Sequence, residues 1–388
     1  MTKKLKILYH HRVAAQDGQS VHIKELTAAF KAIGHELIFV GPSLRPKKFG
    51  DENLFLASIR RLLPGFLQEI LELLYGYRAY YKLKKAYKEH KPDVLYERYN
   101  LFLPAGRKLA QKTGIPYLLE VNAPLSEERA KYSGLQLKKL ATKMEAATWR
   151  SADRLFPVSD ALGQKLLAAG VTKSQITALH NGINHEDYEN IDRDKIRQRY
   201  NLDGKVVLGF TGFLREWHKL DHVISMIANF DAKNSPHLLI VGEGPAIEAC
   251  TAQAEELGIA DRIHFAGFRK REEIPEYLAA MDIALQPAVT SYASPLKIFE
   301  YMESGLAIIA PDQPNIREIL SHRKNALLFE PQDFAAAEDQ ILLLVSDAAL
   351  RRKLGRAAKN AIKTERYTWL DNAKHITKIA HQLIDAKS

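Results

Sequence analysis

Short apolar runs recur along the whole chain, each followed by a polar turn and then by a stretch with helical periodicity. The first unit reads "KILYHH", then the glycine turn "AAQDGQS", then "VHIKELTAAFKAIG" with apolar residues at helical spacing. Gly34 stands where a helix-terminating glycine belongs, and "HELIFVGP" returns as a strand. The rhythm continues through "DVLYERYN", "IPYLLEVN", "RLFPVSD" and "ITALHNG". It resumes with "KVVLGFTG", "HLLIVGEG", "RIHFAGF", "DIALQP", "AIIAP" and "ALLFE". Near-continuous apolar strands alternating with helices predict an α/β chain with parallel, doubly wound sheets, covered by helices on both faces.

With 388 residues the chain exceeds what one core of this kind usually holds, so two domains are expected. The division is placed between residues 185 and 186. There "HEDYENIDRDKIRQRYNLDGK" is polar and charge-dense, and reads as a linker holding one short helix. "DRD" at 192–194 resembles an Asp-x-Asp metal motif but lies in that segment, away from any strand end. The last stretch, "TWLDNAKHITKIAHQLIDA", is an amphipathic helix with Ile376, Ile379 and Leu383 at helical spacing.

Hydrophobic residues make up 46% and charged residues 26%, as in ordinary soluble proteins. The single Cys250 excludes an intramolecular disulfide, which fits a cytoplasmic location. "MTKKLKILYHH" carries an apolar run only a strand long, so no secretory leader is expected. No window approaches the roughly 18 uncharged apolar residues of a membrane span.

The formal net charge of +10 is unevenly placed: residues 1–116 carry 21 Lys and Arg against 10 Asp and Glu, the rest 35 against 36. Such a basic portion suits an anionic partner, or serves solubility alone. Residues 54–92 break the strand–helix rhythm. In them Leu, Phe and Tyr alternate with Arg60, Arg61, Lys82, Lys84, Lys85 and Lys88. A basic amphipathic helix with interfacial tyrosines fits a segment lying on an anionic membrane surface; the alternative is ordinary surface helices with solvated lysines. No nucleic-acid-binding module is present, so nucleic acid is not an expected partner.

Four glycine turns sit at strand ends: around Gly18, Gly212, Gly242 with Glu243, and Phe268. In doubly wound sheets ligands bind beyond the carboxyl ends of strands, against helix N-termini that favour anions. None has the full GxGxxG spacing, no Walker A loop or G-x-S-x-G elbow occurs, and no His/Cys/carboxylate set has zinc spacing, so no metal and no cofactor is expected. Arg215, His218 and Lys219 follow the strand "VVLGF" and are read as cations able to clamp a diphosphate. In "SYASPLKIFEYMESG", Ser294 and Pro295 suit a helix opening, so amides from Leu296 onward would face a phosphate beside Lys297. Glu300, one turn on, could accept hydrogen bonds from two vicinal ribose hydroxyls; the alternative is a solvated Lys–Glu pair.

These residues, in this order, resemble glycosyltransferase family 4, retaining nucleotide-sugar transferases of the GT-B fold. The resemblance runs through "DGQSVHIKEL", "VSDALGQKL", "HNGIN", "GFTGFLREWHKLD", "LLIVGEGP", "IHFAGF" and "SPLKIFEYMESGLAIIAP", and so covers essentially the full chain. It implies that Arg215, with Lys219 or a neighbour, balances the leaving diphosphate. It implies too that Glu300 is the second, ribose-binding glutamate of the family's Glu-x7-Glu motif. Tyr292 stands where the first glutamate would be, by the donor sugar. Asn122, with Glu120 nearby, stands where many members carry a histidine that hydrogen-bonds the donor sugar. Asn can donate and accept but cannot carry a proton charge, which suits a mechanism without a general-base histidine.

The expectation is therefore a GT-B fold of two facing Rossmann-like domains with a cleft between them. Residues 1–185 would bind the acceptor and 186–368 a nucleoside-diphosphate sugar, with helix 369–388 crossing back to the first domain. The expected reaction is metal-independent, retaining transfer to an acceptor such as a lipid-linked sugar or surface-glycan precursor at the inner membrane face. The departures at Tyr292 and Asn122 also fit a catalytically silent sugar-nucleotide-binding subunit, and a third reading is a GT-B sugar-nucleotide epimerase, which would need no acceptor.

Overall fold

The computed structural model describes residues 3–14, 18–42, 64–231 and 235–387. Arg60 and Arg61, read above as part of a basic surface, lie outside these residues. The chain divides into two compact units, residues 1–180 with 369–388, and residues 181–368. The division falls at His180, a few residues before the boundary placed from sequence.

The first unit holds β1 (Lys6–His10), α1 (Gly18–Ala32), β2 (Glu36–Val40), α2 (Gly65–His90), β3 (Val94–Arg98) and α3 (Ala105–Thr113). It continues with β4 (Tyr117–Val121), α4 (Leu125–Tyr132), α5 (Lys138–Trp149), β5 (Arg154–Pro157) and α6 (Asp160–Ala168). Its strands form a parallel sheet in the order β2-β1-β3-β4-β5. Every residue of β3 and β4 is buried, as the apolar runs require of strands covered on both faces.

The second unit begins with α7 (Arg193–Arg199), β6 (Val207–Thr211), α8 (Leu220–Asn229), β7 (His237–Val241), α9 (Ile247–Glu256) and β8 (Ile263–Gly267). It proceeds through α10 (Ile274–Ala279), β9 (Ile283–Leu285), α11 (Leu296–Glu303), β10 (Ala307–Pro311), α12 (Pro314–Arg317) and β11 (Leu327–Phe329). Two helices close it, α13 (Phe334–Ser346) and α14 (Ala348–Thr364). Its parallel sheet runs β11-β10-β9-β6-β7-β8. Counted from β6, this is the doubly wound order 3-2-1-4-5-6, in which the connection reverses direction between β6 and β9.

The charge-dense segment read as a linker belongs to this second unit. Tyr188, Ile196 and Arg197 are buried. The Arg197 guanidinium donates to the carbonyls of Ala280 (2.7 Å), Leu202 and Lys205 (2.6 Å each). A fully bonded buried arginine looks, in sequence, like a solvated one. Asp192 of the "DRD" run caps α7 by accepting from the Asp194 amide at 2.9 Å.

The last helix, α15 (Trp369–Lys387), belongs to the first unit, where it lies against α1. Trp369 is buried edge-on to the His22 ring, with centroids 4.8 Å apart.

Candidate functional site

The second sheet's carboxyl edge carries the glycine turns and cations read from sequence, around the point where the strand order reverses. Beyond β6 the turn at Gly212 is stitched to the turn beyond β7: Gly212 donates to the Val241 carbonyl at 2.9 Å and Leu214 to the Glu243 carbonyl at 2.7 Å. Gly242 in turn donates to the Gly267 carbonyl at 3.0 Å. A Cβ on Gly242 would stand 2.0 Å from the Gly212 carbonyl oxygen, and φ there is +141°. Only glycine allows the two backbones so close. The glycine turns at Gly212, Gly242 and Phe268 read from sequence are thus neighbours, with Glu243 exposed and Phe268 exposed beside Gly267.

Lys297 leans over this floor. A Cβ on Gly212 would lie 3.0 Å from its Nζ, which sits 3.7 Å from the Phe210 ring centroid. The residue is half-buried, yet desolvation at its ammonium outweighs the attraction of Glu300 and pulls its pKa down to about 7. The helix that carries it, α11, opens after Pro295 (φ −69°, ψ 122°), whose side chain makes no capping hydrogen bond to its first turn. The amides of Leu296 and Lys297 therefore stand at the positive end of the helix dipole. Ser294 serves the loop instead of the helix: its Oγ accepts from the Asn181 amide at 3.3 Å and its carbonyl from Asn181 Nδ2 at 2.5 Å. Asn315 Nδ2 holds the same loop through the carbonyls of Thr290 (3.0 Å) and Ala293 (2.6 Å), and Tyr292 lies half-buried between them.

The reading of His218 as a cation is corrected by the structure. His218 is buried against Phe210, and its Nδ1 accepts from the Arg215 amide at 3.1 Å. Desolvation, then the charges of Lys297 and Arg215, lower its pKa to about 3, so it is neutral. Its work is to shape the turn that presents Arg215, whose guanidinium is exposed 4.9 Å from the Phe213 ring. Lys219 follows in left-handed conformation (φ +61°) and opens α8.

Glu300 is buried at the same helix mouth, and Arg271 donates to its carboxylate. Tyr188 lies close enough that the Glu300 charge helps raise its phenol pKa, after desolvation. Sequence reasoning missed Arg271 and Tyr188. The basic run after "AGF" was the only visible trace of Arg271, and Tyr188 left none within the charged segment around it. Tyr301 fastens α11 to β6 by accepting from the Thr211 amide at 3.0 Å.

Two of the residues read from sequence as catalytic or donor-binding belong to the first unit. Gly18 opens α1. Asn122 follows β4 and donates from Nδ2 to Glu120 Oε1 at 2.6 Å. Glu120 also receives Arg98, the Tyr96 hydroxyl (2.9 Å) and His22 Nε2 (3.0 Å). Burial opposes ionisation of Glu120, but His22, Arg98 and these hydrogen bonds prevail and hold its carboxyl well below the usual range. The remaining amide oxygen of Asn122 is thereby fixed as an acceptor. On α2, Lys82, Lys85 and Lys88 are exposed and Lys84 is half-buried. Among the described residues no group of three or more His, Cys, Asp or Glu is gathered as a metal site would need, and no helix is long and apolar enough to cross a membrane.

Two parallel-sheet units of this topology, the second with its strand-order reversal, are the architecture of the GT-B sugar transferases. The chain matches the model of Glycosyltransferase Family 4 over residues 16–187 and that of Glycosyl transferases group 1 over residues 192–361. It belongs to glycosyltransferase family 4, and is an enzyme that transfers sugars. An uncharacterized glycosyltransferase of Methanocaldococcus jannaschii, MJ1069, is 25% identical over 61% of this chain and 60% of its own length. A GDP-mannose-dependent alpha-mannosyltransferase of Mycobacterium tuberculosis is 24% identical over 88% of this chain and 89% of its own. Among solved structures, Anabaena Alr3699/HepE in complex with UDP superposes with a TM-score of 0.75 at 18% identity, covering 97% of this chain and all of that one, which shows the shared fold.

Proposed function

We propose that the enzyme moves a sugar from a nucleoside-diphosphate sugar to a glycan or lipid-linked acceptor, with retained anomeric configuration, at the inner face of a membrane. The observation that carries the donor is the Lys297 ammonium at the mouth of α11, directly over the Gly212 turn. A diphosphate there meets Lys297, the first-turn amides of α11 and the exposed Arg215. Partners fixed in place before charge develops on the leaving diphosphate stabilise it without reorganisation. Glu300, oriented by Arg271, is positioned to accept from ribose hydroxyls. Tyr292 and Asn122 remain donor-sugar candidates. Lys219 is a further cation at the rim. The presence of UDP in the Anabaena neighbour, and of GDP-mannose in the mycobacterial relative's name, supports a nucleotide-sugar donor without choosing its base.

The acceptor side rests on α2. Its exposed Phe66, Ile70, Leu74, Tyr77 and Tyr81 lie beside exposed lysines, which suits a peripheral position on an anionic bilayer where lipid-linked acceptors are found. Cations and helix amides take the place of a metal in this reading, so activity in excess EDTA is expected to persist.

The donor test is thermal stability against UDP-, GDP-, ADP-, dTDP- and CMP-linked sugars. A ligand at about 100 times its dissociation constant adds about 2.7 kcal/mol, a readable shift. One nucleotide series should stand out. Arg215→Ala and Glu300→Ala should each weaken that donor by about tenfold or more, the worth of one charge-assisted hydrogen bond. Wild-type affinity in both variants would remove this site from the donor.

A further inference from the structure

The first half of helix α2 is amphipathic in the wrong sense for a helix surrounded by water. The carboxylates of its first two turns face inward: Glu69 is 2% exposed and accepts from the amides of Gln136 and Leu137 at 2.8 Å each. Glu72 pairs with Arg129 at 2.7 Å. Outward stand Phe66, Ile70, Leu74, Tyr77 and Tyr81, at intervals of three and four residues that put them on one face, with Tyr81 66% exposed. The exposed basic Lys82, Lys85 and Lys88 take over where the apolar stripe ends.

Beside that stripe lies a groove of about 260 Å³ between α2 and α3. Leu73, Pro104 and Met144 line its apolar part, while Tyr77, Arg107 and Lys108 supply polar groups. Tyr77 belongs to both features, so the groove opens next to the exposed apolar face. Among the described residues neither Arg107 nor Lys108 has a carboxylate partner; Lys108 rests 4.2 Å from the centre of the Tyr77 ring. An exposed cation–π contact is weak, and a phosphate can draw that ammonium away. The volume lies just under the roughly 300 Å³ at which pockets for whole small ligands begin, which suits a headgroup.

We propose that this groove seats the headgroup phosphate of an anionic membrane lipid. Arg107 offers a two-pronged donor and Lys108 a mobile point charge. Tyr77 sits at the water–lipid boundary, and the stripe from Phe66 to Tyr81 enters the acyl region. The assignment rests on the membrane reading above and goes beyond it: a specific seat is added to a diffuse basic surface.

The test is co-sedimentation of the full chain with vesicles of phosphatidylcholine alone and of phosphatidylcholine mixed with phosphatidic acid. The wild type should prefer the anionic vesicles. Arg107→Gln with Lys108→Gln should cut that preference by about tenfold or more, the scale of two cations at a charged surface. Lys85→Gln with Lys88→Gln removes the same charge outside the groove and should cut it less. Equal losses in the two double variants would reduce the effect to diffuse charge and overturn the seat while leaving the membrane reading standing. Displacement by millimolar inorganic phosphate would make the groove a free-phosphate site and overturn the lipid. A wild type indifferent to both vesicles would overturn the membrane reading and the seat together.

Discussion

At the scale of single residues, Lys297 makes the sharpest demand. Its pKa is about 7 against an ordinary 10.5, because desolvation beside Phe210 exceeds the help from Glu300. The unfolded chain therefore binds the extra proton between those values, so this group costs the fold most below pH 7 and less as pH rises. Binding runs the other way. A diphosphate pulls the proton back onto Lys297, so above pH 7 the complex takes up a proton and affinity falls by up to about tenfold per pH unit. Calorimetric titration of the preferred nucleoside diphosphate from pH 7 to pH 9, in buffers of different ionisation enthalpy, should show both the weakening and the uptake. Lys297→Met should abolish both; a flat wild-type profile would remove Lys297 from the phosphate site. The sequence made Lys297 and Glu300 legible, because Ser-Pro followed by an amphipathic run marks a helix mouth. It could not show that His218 is neutral, since a buried acceptor and a surface cation are the same letter. Nor could it pair Glu300 with Arg271, which reaches it from the turn after β8.

Among the elements, the strands were the most legible, because parallel strands buried on both faces must be apolar almost throughout. The turns between them were legible as glycines but not as a stitched floor, since the demand for glycine comes from another backbone. At Gly242 that demand is measurable. A Cβ there would meet the Gly212 carbonyl oxygen at 2.0 Å, and that turn is itself fixed through the Val241 carbonyl. The neighbour is backbone, so it cannot swing aside as a side chain would. Gly242→Ala should lower stability by about 1–3 kcal/mol in urea melts, the cost of a strained backbone position. It should also weaken the donor-induced thermal shift, because the floor beneath Lys297 must move. An unchanged donor shift would mean that the floor and the phosphate site are independent. The segment from 184 to 205 read as a linker leading into the second domain for the opposite reason. Two of its anchors are an arginine bonded to carbonyls and a tyrosine against Glu300 and Arg271, and neither leaves an apolar pattern.

Across the whole molecule, the first unit is discontinuous: the chain leaves it at His180 and returns at Trp369. The helical period of Ile376, Ile379 and Leu383 announces an amphipathic helix, but nothing in it names the surface it covers; only the family resemblance did. The structure supplies the contacts. Trp369 is 1% exposed against His22, the Thr377 hydroxyl meets His35 Nε2 at 3.1 Å, and Lys387 pairs with Asp153 at 2.8 Å. A chain ending at Thr368 leaves the Trp369 slot on α1 empty. Calorimetry of that truncated chain should show one transition moved to lower temperature and a second, from residues 181–368, unmoved. Trp369→Ala in the full chain gives the same asymmetry without truncation, at about 3–5 kcal/mol for a buried tryptophan. If both transitions moved together in both variants, the two units would be a single cooperative body, and loss of α15 would be felt as strongly at Lys297 as at His22. If only the first moved, donor-induced stabilisation should survive truncation, because every residue argued to hold the diphosphate lies between 212 and 300.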